Sequence, residues 1–232
     1  MKNTYDAVVI GTGFGGAVAS CRLSQAGLSV GVFERGRRYD KADASGEFPF
    51  PRDFTNVENG WLYDKQQGLF DVKPVEEVFV FECAGYGGGS LIYANVHIRP
   101  VPDVFASGWP KGYSREELDP YYDLVAYMLD IAPITNRPRD MPPKTKLFAG
   151  AVERLGRSKQ FYYPNIAVDL SDSKDGPHTN KFGVTQQGCR NCGECDIGCR
   201  YRSKNTLDLN YLALAEQSGA KVSAQCLSLI HI

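Results

Sequence analysis

Two short apolar runs flank a helical pattern near the start of the chain. Residues 5–10 (YDAVVI) and 28–33 (LSVGVF) have the continuous, β-branched character of strands buried in a parallel sheet. Between them, residues 17–26 place small and apolar side chains at helical spacing, and Gly27 is a typical residue just beyond a helix C-terminus. The order predicts a β-α-β unit, for which a right-handed crossover is expected.

Further along, the pattern predicts two helices with marked ends. Ser114 is followed three residues later by Glu117, the signature of a capping box, and this helix is expected to run to about Leu129. Residues 205–217 predict another helix, with Asn205 as its N-cap.

The remaining segments give weaker patterns. Residues 78–81 predict a strand, and residues 146–155 predict an amphipathic helix. Residues 161–170 predict a strand that Pro164 places at an edge or a bulge. Residues 40–75 have no clean period and predict mostly loop, which in a compact domain is usually functional.

The composition is that of an ordinary globular protein. The 232 residues are 43% hydrophobic, and 26 Lys and Arg against 27 Asp and Glu give a net charge of -1, so neither nucleic acid nor an anionic membrane is an expected partner. No apolar run approaches the length of a membrane span, and a strand beginning at about residue 5 leaves no room for a signal peptide. A cytoplasmic protein is expected, in which the seven cysteines are thiols or metal ligands rather than disulfides.

Residues 11–16 (GTGFGG) join the first predicted strand to the helix with the spacing of a dinucleotide-binding loop. In this pattern Gly11 permits the tight turn, Gly13 lets the backbone approach the phosphates, and Gly16 lets helix and strand pack closely. The helix N-terminus adds partial positive charge. Glu34 ends the second strand, where its carboxylate can accept hydrogen bonds from ribose hydroxyls. A bound dinucleotide is predicted, with contacts at Gly11, Gly13, Phe14, Gly15, Gly16, Glu34 and Arg35.

Residues 85–90 (GYGGGS) form a second glycine-rich run after the strand predicted at residues 78–81. Backbone without side chains is what a flat isoalloxazine ring needs for close stacking. A purely structural glycine turn is the alternative.

Together these motifs resemble the glucose-methanol-choline (GMC) flavin oxidoreductases, and most closely the bacterial cholesterol-oxidase-like branch. The matching stretches are spread from residue 5 to about residue 220 and include AGYGGGSLIYANVHIRP and GCRNCGECDIGCRYRSKNTLDLNYLALAEQSGA. The resemblance implies an α/β fold: a Rossmann-like FAD-binding domain and part of an α+β substrate domain, both incomplete. It also implies flavin contacts at Gly87, Gly88, Gly89, Ser90 and Asn95.

The same resemblance implies the chemistry. FAD would accept a hydride from the CH–OH group of an alcohol or sterol-like substrate, and oxygen or another carrier would then take the electrons. Some members attach the flavin through a histidine in the second glycine loop, but residues 85–95 contain none, so non-covalent FAD is expected.

A run of cysteines, C-x2-C-x2-C-x3-C, has the spacing of bacterial ferredoxin ligands. Here Arg200 replaces the proline that follows in ferredoxins, and no second set of cysteines is present. A 4Fe-4S cluster, a zinc ion and a set of reduced thiols all stay open as interpretations. The residues concerned are Cys189, Cys192, Cys195 and Cys199.

The resemblance also suggests how the chain is divided. Residues 1–100 are the first part of the FAD-binding domain, residues 101–200 the first part of the substrate domain with its Cys-rich loop at 188–200, and residues 201–226 the return to the FAD-binding domain. Residues 227–232 (LSLIHI) depart from the family pattern and are interpreted as an artefactual tail.

No catalytic residue is expected within these 232 residues. The active-site histidine of the family, with its second His or Asn, comes from the C-terminal half, so this fragment is predicted to be inactive alone. His97 is interpreted as a residue that packs or makes a backbone hydrogen bond rather than as a catalytic residue, and His231 lies in the suspect tail.

Two other classes of function stay open. The chain could be an iron–sulfur electron-transfer module, in which the cysteine run holds the working cofactor. It could also be an NAD-dependent dehydrogenase, which would leave the second glycine loop unexplained.

Overall fold

The computed structural model describes residues 4–39, 48, 62, 68–136, 141–172 and 175–229. Within these residues the strands are β1 (Ala7–Ile10), β2 (Val30–Phe33), β3 (Phe70–Val75), β4 (Val78–Cys83), β5 (Val96–His97), β6 (Ala132–Pro133), β7 (Asn165–Ile166), β8 (Pro177–Thr179), β9 (Thr185–Gln187) and β10 (Lys221–Ser223). The α-helices are α1 (Phe14–Gln25), α2 (Arg115–Met128), α3 (Pro143–Arg154) and α4 (Tyr211–Gln217).

A three-stranded parallel sheet carries the predicted β-α-β unit. β2 lies in the middle, with β1 on one side and β10 on the other. The chain therefore returns to its first sheet after the intervening segments. The α/β class predicted from the sequence is confirmed, and no helix among the described residues is long and apolar enough to cross a bilayer.

The main core lies where α1 and α4 pack together against the sheet. Ala17 and Cys21 of α1 are fully buried, as are Leu212 and Ala215 of α4. Small side chains on both helices let their backbones approach closely, and complete burial of a side chain such as Leu212 contributes roughly 1.5–3 kcal/mol.

Three small antiparallel sheets complete the described structure. β3 and β4 form a hairpin, β7 lies between β5 and β6, and β8 pairs with β9. The first four side chains of β4 are exposed, including Val78 at 60%, Phe79 at 69% and Phe81 at 59%, whereas Glu82 and Cys83 are partly buried. Along residues 78–81, the described part of the chain therefore covers neither face of this hairpin.

Several predicted elements are confirmed with small shifts of their ends. Helix α2 begins with the predicted capping box: the Ser114 hydroxyl accepts from the Glu117 N–H at 3.2 Å, and the Glu117 carboxylate accepts from the Ser114 N–H at 3.1 Å. Gly27 adopts the left-handed conformation after α1, with φ +87°.

Other predictions were wrong. Residues 70–75 are a strand rather than loop, whereas residues 40–47, 49–61 and 63–67 of the predicted loop lie outside the described residues. The strand predicted over residues 161–170 is reduced to β7, because only Asn165 and Ile166 pair with neighbouring strands. β7 lies in the centre of its sheet rather than at an edge.

The helix predicted over residues 205–217 also begins later than expected. Leu207–Leu209 form a 3₁₀ turn, and the N-cap of α4 is Asn210, whose side chain accepts from the Tyr211 N–H. Asn205 instead donates its side-chain amide to the Leu129 carbonyl at 2.8 Å. A nearby backbone acceptor thus outcompetes the local capping role.

Candidate cofactor-binding site

The first glycine loop turns the chain from β1 into α1. Gly11 has φ +86°, and its N–H donates to the Phe33 carbonyl at 2.7 Å, so the loop is tied to the end of β2. A Cβ at Gly16 would lie 2.0 Å from the Gly11 carbonyl oxygen. Only glycine fits there, as the sequence predicted from the need for close helix–strand packing.

The second glycine loop packs directly on the first. Gly87 and Gly88 have φ values of +119° and +54°, which favour glycine. A Cβ on Gly88 would lie 2.5 Å from the Gly13 Cα, so the two backbones are in contact. The Gly87 N–H also donates to the Thr12 hydroxyl at 3.0 Å.

Glu34 is buried and fixed by hydrogen bonds from the first loop. Its Oε2 accepts from the Thr12 N–H at 2.8 Å and from the Thr12 hydroxyl at 2.6 Å, while Oε1 accepts from the Gly36 N–H at 2.9 Å. A carboxylate can accept about four hydrogen bonds, so capacity for ribose hydroxyls is left. Sequence reasoning missed Thr12. The signal that could have found it is a hydroxyl residue between two glycines of the loop, within reach of the acid after β2.

Arg35 is held by the β3–β4 hairpin. Its guanidinium forms ion pairs with Asp71 at 2.6 Å and with Glu82 at 3.1 Å, and Lys73 lies 2.7 Å from Glu82. Two carboxylates therefore engage Arg35, the cation next to Glu34 that could have recognised a phosphorylated ribose. This arrangement favours an unphosphorylated adenosine ribose.

A cleft of about 740 Å³ lies between the two glycine loops, the end of β2 and the hairpin, and is called here the dinucleotide cleft. That volume falls within the range of about 300–1,000 Å³ usual for ligand sites. The first turn of α1 carries no acidic residue, so no side chain of the turn itself competes for its free N–H groups. The predicted residues that line the cleft are Gly11, Gly13, Glu34, Arg35, Gly88 and Gly89.

The other predicted cofactor residues lie outside this lining. Phe14 is 46% exposed at the start of α1, where Gly15 and Gly16 also belong to the helix. The buried Ser90 hydroxyl donates to the Gly87 carbonyl at 2.7 Å and accepts from the Leu207 N–H at 3.0 Å, so it ties the second loop to the turn before α4.

Asn95 faces a different cavity. It is buried, has φ +58°, and lines a cavity of about 370 Å³ together with all four cysteines of the predicted cluster. This cavity is called here the thiol cavity. Its other walls include apolar side chains, and its cysteines are Cys189, Cys192, Cys195 and Cys199.

Backbone N–H groups surround the sulfur atoms. The Cys199 Sγ accepts from the Ser203 and Lys204 N–H groups, each at 3.3 Å, and the Cys189 Sγ accepts from the Asn191 N–H at 3.4 Å. None of the chain's seven cysteines forms a disulfide. Over the described residues, however, no three His, Cys, Asp or Glu side chains are arranged to hold a metal ion, so the geometry does not fit a cluster.

Lys204 separates the thiol cavity from the second glycine loop. It is 1% exposed, and its ammonium group donates to the carbonyls of Leu91 and Tyr93, each at 3.0 Å, and to the Cys195 carbonyl. Burial lowers the pKa of Lys204 to about 8, because the charged form is desolvated. Sequence reasoning missed this residue, since nothing in its neighbourhood distinguishes a buried lysine from an exposed one.

The two histidines in the described residues do not reach the cleft. His97 packs edge-on against Tyr93, with ring centroids 5.7 Å apart, and burial lowers its pKa. His178 lies 3.2 Å from the Asp169 carboxylate. His231 lies outside the described residues.

Comparisons with known proteins bear on the whole chain. A family model of NAD(P)-binding Rossmann-like domains matches residues 9–39. A cholesterol oxidase of Mycobacterium tuberculosis is 32% identical over 96% of this chain and 39% of its own length, and one of Acinetobacter baumannii is 31% identical over 94% of this chain and 39% of its own length. An uncharacterized GMC-type oxidoreductase of Mycobacterium tuberculosis is 28% identical over 94% of this chain and 30% of its own length. Over almost its entire length the chain is similar to cholesterol oxidases and to a GMC-type oxidoreductase.

Similarity to GMC-type oxidoreductases and the Rossmann-like unit together imply a flavin cofactor. The chain spans about two fifths of the length of the cholesterol oxidases that it matches, 39% in each case. Within that span the chain contains both glycine loops in contact, the acid at the end of β2, and the cleft between them.

Proposed function

We propose that the protein is an FAD-dependent oxidoreductase that oxidises a CH–OH group, with an alcohol or a sterol-like molecule as substrate. The observation that carries this proposal is the contact between the two glycine loops, with Gly88 against Gly13 at the wall of the dinucleotide cleft. A NAD-dependent dehydrogenase would need only the first of these loops, so the second favours a flavin.

The residues present fit the FAD group. Gly13 and the N-terminus of α1 would face the pyrophosphate, and Glu34 would accept from the ribose hydroxyls. Gly88 and Gly89 would leave room for the ring system, because neither carries a side chain. When bound, FAD supplies an acceptor for the hydride of the substrate alcohol.

The features of the structure that support this proposal concern binding of the cofactor. The ordered N–H groups of the loops provide fixed positive dipoles, and the Arg35–Asp71–Glu82 contacts fix the wall of the cleft. No histidine of the described residues lines the cleft, and that the base acting on the substrate hydroxyl comes from elsewhere in the protein stays a prediction.

The substrate class rests on the names of the similar proteins. Two are cholesterol oxidases, and a long-chain-alcohol oxidase of Arabidopsis thaliana is 27% identical over 94% of this chain. Each of these names refers to an alcohol with a large apolar body. We therefore propose such an alcohol for this protein, with oxygen or another carrier as the electron acceptor.

The cofactor is tested by releasing it. The purified protein is expected to be yellow and, after denaturation, to release all of its FAD into the supernatant, because no histidine stands in residues 85–95 to attach it. Flavin that stays with the precipitate would refute non-covalent binding. A colourless protein that binds NAD instead would refute the proposal.

The activity needs a second measurement. Anaerobic addition of cholesterol or a long-chain alcohol to the full-length flavoprotein is expected to bleach the flavin absorbance. Fully oxidised flavin after incubation with both alcohols would refute the substrate class but leave the cofactor assignment standing.

A 4Fe-4S cluster at the four cysteines stays a prediction. All four line one cavity, but their geometry in the structure does not fit a bound metal, so no step is derived through it. Iron and sulfide analysis of anaerobically purified protein tests it, and substoichiometric amounts of both would refute it. A cytoplasmic location is likewise proposed, because seven free thiols are typical of a reducing compartment.

A further inference from the structure

Three side chains behind the dinucleotide cleft form one connected group, called here the Tyr86 clamp. Arg38 follows β2, Tyr86 lies within the second glycine loop, and Glu216 lies in the last turn of α4. None of them lines the cleft. The clamp nevertheless joins three separate segments of the chain at one point.

Its geometry is well defined. The Arg38 guanidinium makes two parallel hydrogen bonds to the Glu216 carboxylate, both at 2.9 Å. The same guanidinium lies over the Tyr86 ring, 3.9 Å from its centroid, and the Tyr86 hydroxyl donates to Glu216 Oε2 at 2.7 Å. A two-pronged Arg–carboxylate pair is directional as well as attractive, so it fixes orientation.

Tyr86 is 1% exposed and is fixed at both ends, at its backbone by Arg37 and at its hydroxyl by the clamp. Its backbone N–H donates to the Arg37 carbonyl at 2.9 Å, while its hydroxyl reaches Glu216. Burial, and then the Glu216 charge, raise the pKa of the Tyr86 phenol well above its usual range. The hydroxyl therefore stays protonated and acts only as a donor to that carboxylate.

The residues that follow Tyr86 connect it to the wall of the cleft. Gly87 donates to the Thr12 hydroxyl, which in turn donates to Glu34, the proposed ribose ligand. Gly88 then contacts Gly13. A shift of Tyr86 would thus move the two loops apart at the point where they enclose the cleft.

We propose that the Tyr86 clamp is a positioning device that holds the second glycine loop against the first and so slows release of the dinucleotide cofactor. The inference rests on the proposed function, since it concerns the same cleft. It assigns roles to Arg38, Tyr86 and Glu216, which the sequence motifs alone did not indicate.

The test compares rates of FAD release from the flavin-loaded full-length protein, followed by the rise in flavin fluorescence after dilution. Glu216→Ala removes both bonds to Arg38 and the acceptor of Tyr86, and release is expected to be faster by on the order of tenfold. Tyr86→Phe keeps the ring beneath Arg38 and loses only the hydroxyl, so a smaller change in the same direction is expected.

Ser114→Ala is the matched control, because it removes the cap of α2 and lowers stability without touching the clamp. It is expected to lower the melting temperature and leave the FAD release rate unchanged. If Ser114→Ala accelerates release as much as Glu216→Ala does, the clamp only adds global stability and the inference is wrong.

The remaining outcomes separate the two proposals. Wild-type protein that holds FAD, with both clamp variants releasing it at the wild-type rate, overturns the clamp alone. Wild-type protein that holds no flavin overturns the proposed function, and the clamp's role falls with it. Should Glu216→Ala fail to fold, the Tyr86→Phe comparison still decides, since a wild-type release rate there refutes the inference.

Discussion

Replacing Gly88 with alanine should separate the two glycine loops. The new Cβ would lie 2.5 Å from the Gly13 Cα and 3.0 Å from its nitrogen, and both are backbone atoms that cannot rotate away. The left-handed conformation at φ +54° costs a residue with a Cβ roughly 1–2 kcal/mol. Overpacking adds about 1–3 kcal/mol. The free energy of unfolding should therefore fall by about 2–5 kcal/mol, which for a chain of this size is a melting-temperature loss of roughly 4–20 °C.

Two other glycines provide controls for the Gly88→Ala experiment. At Gly89 the nearest atom to a new Cβ is the Phe14 Cε2 at 3.9 Å, so Gly89→Ala should change stability by no more than about 0.5 kcal/mol. Gly112 has φ +92° and nothing within 4 Å of a new Cβ, so Gly112→Ala isolates the conformational cost. Thermal unfolding and FAD titration would be measured for all three. If Gly88→Ala has the melting temperature of Gly89→Ala and binds FAD as tightly as the wild-type protein does, the loops do not touch in solution.

Three further changes have defined outcomes. Ser114→Ala should lower the free energy of unfolding by about 1 kcal/mol in urea titration, since the capping box loses the acceptor for the Glu117 N–H; an unchanged midpoint would contradict that geometry. Asp71→Asn removes the charge 2.6 Å from the partly exposed Arg35 guanidinium, so a loss of about 1 kcal/mol and weaker FAD binding are expected, whereas equal FAD affinity would show that Arg35 does not shape the cleft. Burial lowers the pKa of His97 below its ordinary 6.5, so the unfolded chain takes up the proton at higher pH than the folded one, and stability should fall as the pH drops below that value. His97→Gln should make this acid loss shallower, and identical pH profiles for the two proteins would refute it.

The dinucleotide half of the fold could be predicted because its constraints are local. Apolar strands, a glycine loop and the acid at residue 34 follow one another within a short stretch, and each has a physical reason to be where it is. The capping box of α2 was readable for the same reason, since Ser114 and Glu117 satisfy each other without help from the rest of the chain.

The predictions that were wrong concern residues whose structure depends on contacts with residues distant in sequence. Strand β3 contains Asp71, Lys73 and Pro74 and has no strand-like pattern, but its pairing with β4 and its ion pairs to Arg35 hold it extended. Asn205 has the residue type and position of an N-cap, but its side-chain amide donates to the Leu129 carbonyl, which is distant in sequence. Asn95, with φ +58°, lines the thiol cavity rather than the cleft, and its predicted flavin contact stays a prediction.

The uncovered hairpin also affects how the protein can be produced. Residues 78–81 (VFVF) are apolar, β-forming, uncharged and free of proline, and their side chains project on both faces. Such a segment can pair with the same segment of another copy while chains are still crowded on ribosomes or refolding from denaturant. Replacing Phe79, 69% exposed, with lysine is therefore the single change that we expect to raise the yield of dispersed protein most.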